Sequence, residues 1–291
     1  MAESAIPVDL FNPGQVFACL GFMELAEALL GDVEAGFDWS DKANVKFRVK
    51  ASGDEDPIRA DISFVMDAEL RSISPAKEDL STKKWDVDTR EIGVDEGFPF
   101  PLPDSPATLP VELLKDGKTF TVEHWGDATV RDNVKFWAGA GGYPGAALWR
   151  DAVVLVKEQA IACASNPFAL QAAQSSSFRF DWRRDYIPLD AGFSPNEHSD
   201  IEMVGYPLVE LFAAIGLAHA RPQRPERRNK LTYRYGVIGS AVKGAELLPP
   251  TLVRAALGAH VMPFSQRIFR MTLDWPGQEN QARCITAVTE E

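Results

Sequence analysis

The most basic stretch of the sequence is 221–234, RPQRPERRNKLTYR, in which Glu226 is the sole acidic residue. Its cations are Arg221, Arg224, Arg227, Arg228, Lys230 and Arg234. Pro222 and Pro225 disfavour a helix, so the stretch is predicted to be a mobile or extended arm. Arginine side chains bind phosphate through charge-assisted hydrogen bonds, and such arms commonly contact nucleic-acid backbones. The alternative is an ordinary solvated surface rich in charge.

A second stretch, 131–145 (RDNVKFWAGAGGYPG), combines glycines with aromatic and basic side chains. Glycine lets backbone amides approach a phosphate closely, and aromatic rings offer stacking surfaces for bases. The candidate nucleic-acid contacts here are Lys135, Trp137, Gly139, Gly141 and Gly142. The stretch matches neither the P-loop nor the dinucleotide fingerprint. A structural loop that precedes a helix over 146–164 is the alternative.

Residues 177–182, SFRFDW, alternate aromatic with polar side chains, which predicts a strand with one aromatic face. Arg179 lies within this stretch, and Arg183 and Arg184 follow it directly. Sheets that present aromatic rings beside arginines can stack the bases of single strands. An aromatic strand face that packs into the hydrophobic core is the more common arrangement.

No spacing in the sequence defines a catalytic centre. The four histidines are isolated from one another, and neither a zinc-ligand spacing nor a nucleophile signature is present. We therefore predict no metal and no cofactor. His219, which lies beside the basic arm, is the candidate general base if the protein cleaves RNA.

The composition limits the class of protein. With 291 residues, 45% of them hydrophobic, the chain can form a large core, and its net charge of −12 argues against coating nucleic acid by bulk charge. Residues 1–135 carry 14 Lys or Arg against 27 Asp or Glu, whereas residues 136–291 carry 16 against 15. A surface that binds a polyanion is therefore expected in the second half. Three scattered cysteines and the absence of signal-peptide and membrane-span patterns predict a cytoplasmic protein with no membrane partner.

The elements that must position these residues are predicted from hydrophobic periodicity. A strand, a turn and a strongly apolar helix are predicted over 6–30, with Glu24 and Glu27 as the solvent-facing stripe of the helix. Alternation at 45–49 predicts a second strand, and alternation within 58–73 predicts a third that forms a hairpin with it. Residues 74–110 are predicted to be an extended insertion. Further strands are predicted at 118–125, 231–238, 267–274 and 282–288, and helices at 146–164, 206–219 and 251–257.

Several sequence strings resemble a known family. FACLGFMELAEALLG followed by FDWSD, DNVKFWAGAGG, FRFDWRRDY, and LPPTLVRAALG followed by FRMTLDWPGQ are similar to CRISPR-associated proteins of type I-U (I-G) loci. The resemblance implies a subunit of a guide-RNA surveillance complex in antiviral defence, of the RAMP superfamily. It implies an α+β fold with a ferredoxin-like (RRM-like) antiparallel sheet, helices on one face and long insertions. The partners it implies are guide RNA or target DNA and other Cas effector subunits.

Together these observations predict an acidic α+β half (1–135) and a second α+β half (136–291) that carries the basic arm, either as two domains or as one continuous domain. We expect a non-catalytic subunit that binds the nucleic-acid backbone, while base pairing supplies the sequence specificity. One alternative is a metal-independent endoribonuclease that matures guide RNA, with His219 as its base. Another is an assembly or scaffold protein that docks basic partners without touching nucleic acid.

Overall fold

The computed structural model describes residues 1–74, 86, 88–91, 109–124, 145–174, 176–183, 203–274 and 284–291. The helices in these residues are α1 (Pro13–Leu29), α2 (Pro57–Asp67), α3 (Gly145–Ala160), α4 (Pro207–His219) and α5 (Pro250–Leu257). The strands are β1 (Ala2–Pro7), β2 (Glu34–Asp38), β3 (Lys46–Ala51), β4 (Glu69–Ser74), β5 (Thr89–Glu91), β6 (Leu109–Lys115), β7 (Lys118–His124), β8 (Ala172–Ala173), β9 (Val204–Gly205), β10 (Thr232–Ser240), β11 (Gln266–Asp274) and β12 (Cys284–Glu290). The predicted α+β class is confirmed.

Two sheets enclose the central helices. Among the described strands, six form one sheet in the order β1-β3-β2-β10-β11-β12 and four form another in the order β5-β4-β6-β7, while β8 pairs with β9. Neighbours in the larger sheet are antiparallel except β2 and β10, which run parallel where Gly239 and Ser240 meet Phe37 and Asp38. The helices α1 and α2 contact strands of both sheets, so they lie between the two.

The first strands follow part of the predicted topology. Strand β1, helix α1, strands β2 and β3 and helix α2 occur in that chain order, and the strands lie side by side as β1-β3-β2. After α2, however, the chain enters the second sheet, where β4 pairs with β5 and β6. No described strand pairs with the outer edge of β1, which is where we would look for the fourth strand of a ferredoxin-like unit.

The helix α1 forms where predicted and is buried more completely than predicted. The side-chain oxygen of Asn12 accepts a hydrogen bond from the backbone of Gln15, Pro13 occupies the first turn, and Gly31 (φ +76°) follows the helix. The predicted solvent-facing stripe is wrong at Glu24, which is 3% exposed. Its carboxylate is buried because the guanidinium of Arg254 on α5 binds both of its oxygens, at 2.6 and 2.7 Å.

The predicted third strand is wrong over its first part. Residues 57–67 form α2, which begins after Asp56, whose carboxylate accepts a hydrogen bond from the backbone of Arg59 at 3.0 Å. Ile58, Ile62 and Val65 recur at helical spacing, and this period prevails over the local alternation. Only β4 is extended, and it pairs with β6 rather than with β3.

The stretch 177–182 is not a strand in this structure. Its backbone turns at Arg179, whose φ of +66° lies in the left-handed region and breaks the alternation. Phe178 and Phe180 are buried in the hydrophobic core, which agrees with the alternative that these rings pack inside. Trp182 is on the surface.

Seven further elements match their predictions to within a few residues. The strands β7, β10, β11 and β12 and the helices α3, α4 and α5 form where hydrophobic periodicity places them. Strands β2, β5, β6, β8 and β9 were not predicted. Most of the predicted insertion, 74–110, lies outside the described residues; β5 is within it and pairs parallel with β4. No described helix is long and apolar enough to cross a membrane.

Candidate nucleic-acid interface

The basic arm, 221–234, folds back against the start of β10. The backbones of Gln223 and Arg234 exchange two hydrogen bonds, at 2.7 and 2.8 Å. The backbone N–H of Asn229 donates to Glu226 O at 3.1 Å, which closes a turn between them. The Asn229 side chain then accepts from Leu231 N at 2.9 Å. The arm is therefore an ordered turn rather than a loose extended segment, because backbone pairing and an Asx turn fix its ends.

The tip of this turn presents two arginines to solvent. Arg227 and Arg228 are exposed, and neither forms an ion pair or a hydrogen bond with another described residue. Arg221 is also exposed, whereas Arg224 and Lys230 are half-buried. Because the tip is held at both ends, its two guanidinium groups project from a fixed base. Such groups can bind successive phosphates with little loss of backbone freedom.

The last arginine of the arm belongs to a cluster on the sheet. Arg234 on β10 lies directly opposite Arg270 on β11 in the strand register. Their Nε atoms bind the two carboxylate oxygens of Glu291, at 2.6 and 2.7 Å, and Arg234 Nη1 also donates to Gln223 Oε1 at 2.9 Å. Partial burial of Glu291 opposes ionisation, but hydrogen bonds from Arg270 and Arg234 outweigh it and lower the pKa of this carboxyl.

Arg270 was not among the predicted binding residues. Its neighbours in the sequence are apolar, so the local composition gave no basic stretch to notice. The available signal was the alternation of β11, in which Arg270 lies on the face opposite to Phe269 and Met271. The register that brings it against Arg234 depends on pairing across the sheet and could not be predicted from spacing.

Arg183, which was predicted to contact nucleic acid, instead binds other residues of the protein. Its guanidinium binds the carboxylate of Asp181, with Nη2–Oδ2 at 2.5 Å, and donates to Phe168 O at 2.9 Å. Its plane lies over the ring of Tyr206, 3.4 Å from the centroid. These contacts use most of its donors for local structure. The neighbouring Arg184 lies outside the described residues.

A buried polar cluster explains why 176–183 has this conformation. Asn12 Nδ2 donates to Asp181 Oδ1 at 2.9 Å, so the residue that caps α1 also fixes Asp181. Glu210, in the first turn of α4, accepts from the backbone N–H groups of Phe180 and Asp181, each at 3.1 Å. The half-buried Arg179 directly precedes these two anchored residues. The segment thus joins the starts of α1 and α4.

The remaining candidates have simpler outcomes. Lys135, Trp137, Gly139, Gly141 and Gly142 lie outside the described residues. His219 is exposed at the end of α4, and its side chain forms no hydrogen bond or ion pair with any residue that the structure describes. Within the same residues, no group of three or more His, Cys, Asp or Glu side chains is placed to hold a metal ion.

Comparison with models of known protein families, with curated proteins and with solved structures finds no match to this chain.

Proposed function

We propose that this protein is a non-catalytic subunit of a type I CRISPR guide-RNA surveillance complex and acts in the cytoplasm. In this proposal it binds the backbone of guide RNA or target DNA through the arm. The observation that carries it is the pair of exposed arginines, Arg227 and Arg228, on an ordered turn of an otherwise acidic protein. The sequence strings that resemble type I-U (I-G) proteins supply the biological context.

The strand order supports a finer proposal about the fold. In a ferredoxin-like unit of the RAMP type, strands one, three and two lie side by side and helices cover one face. Strands β1, β3 and β2 have this order, and α1 and α2 follow β1 and β3 in the chain. We propose that these elements are a ferredoxin-like half-unit. Its sheet is extended by β10, β11 and β12 at the β2 edge rather than completed beside β1.

The charge distribution supports a peripheral position in the complex. Residues 1–135 carry an excess of 13 acidic residues, whereas the second half is nearly neutral and carries the arm. A negative surface repels nucleic acid and attracts basic proteins. We propose that the first half faces basic sister subunits while the arm reaches the nucleic acid.

The salt dependence of binding tests the role of the arm. Fluorescence anisotropy with a labelled single-stranded RNA would be measured between about 50 and 200 mM salt. The triple variant Arg224→Gln, Arg227→Gln, Arg228→Gln is expected to bind more weakly. The slope of log K against log salt should flatten by about 2, because each lost phosphate contact removes about 0.7 on single strands.

A matched control removes the same charge from another surface. Lys42, Lys46 and Arg59 are exposed in the first half of the chain. Their triple glutamine variant lowers the net charge equally but should leave the slope unchanged. Equal slopes for the wild-type protein and the arm variant would contradict the proposal and favour a scaffold that docks partners without nucleic-acid contact. RNA cleavage by the wild-type protein would instead favour an endoribonuclease.

A further inference from the structure

We infer that Arg234 and Arg270 form a phosphate-binding pair for the same nucleic-acid backbone, and that the Glu291 carboxylate competes with phosphate for it. This inference rests on the proposed function and adds Arg270 and Glu291 to the binding surface. It makes the sheet, and not the arm alone, part of the nucleic-acid interface.

The register of β10 and β11 places these two arginines side by side, so an anion is needed to offset their repulsion. Arg234 and Arg270 are direct cross-strand partners, and like charges in that position destabilise a sheet. Glu291 relieves the repulsion by giving one carboxylate oxygen to each Nε atom, at 2.6 and 2.7 Å. A phosphate group offers the same arrangement, since two of its oxygens can bind two neighbouring guanidinium groups. The carboxylate therefore stands where a backbone phosphate would bind.

The pair is continuous with the arm. Gln223 lies in the arm, its backbone pairs with that of Arg234, and its side-chain oxygen accepts from Arg234 Nη1 at 2.9 Å. A strand of nucleic acid that contacts Arg227 and Arg228 at the tip can thus continue toward β10 and β11. The side chains of Arg234, Arg270 and Glu291 are 26%, 45% and 25% exposed, so a phosphate in solvent can reach the pair.

The carboxylate can be displaced at low cost. Ion pairs with this degree of exposure contribute little to the stability of a protein, because solvent and salt screen them. A backbone phosphate held in place by neighbouring contacts at the arm competes at a high effective concentration. An isolated anion lacks those contacts. Glu291 would therefore discriminate against small anions and admit a polyanion that also engages the arm.

The adjacent residue supplies a matched control. Glu290, the last residue of β12, binds Arg267 at 2.6 and 2.7 Å. It directly precedes Glu291, whose backbone N–H continues the pairing by donating to Ile268 O, and Arg267 precedes Arg270 on β11 by three positions. Odd spacings along a strand place side chains on opposite faces of the sheet. Arg267 also lies 5.3 Å from the ring centroid of Phe269, on the inner side. Removing Glu290 changes the net charge as removing Glu291 does, without freeing the pair.

The test compares Glu291→Gln with Glu290→Gln by anisotropy on a labelled single-stranded RNA. Glu291→Gln is expected to tighten binding about three- to tenfold beyond any effect of Glu290→Gln, since the competing ion pairs are lost. Arg270→Gln should weaken binding while Arg267→Gln does not. In the Arg270→Gln background, the gain from Glu291→Gln should largely disappear, which a general charge effect would not produce.

The outcomes separate this inference from the function on which it rests. Wild-type protein that binds RNA, with equal affinities for the Glu291→Gln and Glu290→Gln variants, would overturn the phosphate-pair inference and leave the arm in place. Wild-type protein that binds no RNA at all would overturn both. Thermal unfolding of each variant in the binding buffer checks that the comparison is made between folded proteins.

Discussion

Gly21 of α1 and Gly216 of α4 face each other where the two helices cross, and each leaves room for the backbone of the other helix. A Cβ atom on Gly21 would lie 1.9 Å from Phe212 O, and one on Gly216 would lie 2.0 Å from Phe17 O. Glycine is required at both positions, because any side chain would separate the helices. This crossing joins the first and second halves of the chain through two almost completely buried helices.

Because the two helices are in backbone contact at this crossing, adding a single methyl group there should lower the stability of the protein substantially. Gly21→Ala should lower the free energy of unfolding by about 2 kcal/mol or more, since the overlap with backbone outweighs the higher helix propensity of alanine. Gly36→Ala on β2 is the control, because its Cβ would meet Leu247 and Ile238 at ordinary distances of 3.6 and 3.7 Å. Chemical denaturation of both variants measures the difference. A Gly21→Ala protein as stable as Gly36→Ala would contradict this account of the packing.

The Glu24–Arg254 ion pair is predicted to contribute more to the free energy of unfolding than the more exposed Glu27–Arg254 pair. Arg254 binds both Glu24, which is buried, and Glu27, whose side chain is 42% exposed. Glu24→Gln should cost about 2–4 kcal/mol of unfolding free energy, because it leaves the Arg254 guanidinium facing a neutral amide within the protein. Glu27→Gln should cost less than about 1 kcal/mol. Urea denaturation at low salt compares the two, and equal losses would show that burial of Glu24 is immaterial.

Asp61 is a buried carboxyl whose two oxygens meet no hydrogen-bond donor among the described residues. Burial, reinforced by the charges of Asp56 and Glu55, raises the pKa of Asp61 well above its ordinary value. The native state therefore keeps this proton over a pH range in which the unfolded chain, where the Asp pKa is ~3.9, has released it. Its contribution to stability is fully present below about pH 4 and declines as the pH rises toward the raised pKa.

Replacing Asp61 with asparagine should remove that decline. At neutral pH the Asp61→Asn variant is expected to be more stable than the wild-type protein. Its advantage should grow with pH by up to about 1.4 kcal/mol per unit within the window. Denaturation at several pH values between about 5 and about 8 measures the trend. Asp54→Asn, which alters an exposed carboxylate that is not among the groups acting on Asp61, is the control. Parallel stability curves for Asp61→Asn and the wild-type protein would exclude a strongly raised pKa.

Arg183 and Arg228 should respond in opposite ways to the same substitution. Arg183→Gln leaves the buried Asp181 carboxylate without its guanidinium partner and should cost about 2 kcal/mol of stability, with RNA affinity of the folded protein unchanged. Arg228→Gln removes an exposed cation and should weaken RNA binding with little change in stability. Measuring the free energy of unfolding and the RNA affinity of both variants tests this contrast. A loss of RNA affinity in folded Arg183→Gln would return Arg183 to the nucleic-acid interface.

The sequence predicted elements whose pattern is local and missed those decided by packing. The strict alternation of Phe47 and Val49 with polar residues specifies β3, and similar alternation specifies β10 and β11. The stretch 58–67 satisfies both a strand and a helix period, and only the cap at Asp56 and the space between the sheets favour α2. In 177–182 the aromatic alternation is real, but bonds from distant Asn12 and Glu210 bend the backbone and bury the rings.

In the candidate site, too, the sequence indicated the residues that are adjacent in the chain and missed those brought together by strand pairing. The arm was visible because its arginines are adjacent in sequence, and proline content indicated correctly that it is not helical. Its ordered turn depends on the bridge between Gln223 and Arg234, and the phosphate pair depends on the register of β10 with β11. Contacts of this kind are set by sheet geometry rather than by spacing along the chain. That geometry is also why Glu291 could not be connected to the arm beforehand.

The central claim is tested most directly by purifying the tagged protein from cells that also express its neighbouring genes, and sequencing the nuclease-protected RNA that accompanies it. The account predicts a complex with other Cas subunits that contains RNA of uniform length and repeat–spacer sequence. The arm variant, with Arg224, Arg227 and Arg228 replaced by glutamine, should bring down less of that RNA. A monomer that carries neither RNA nor partner subunits would contradict the proposed function.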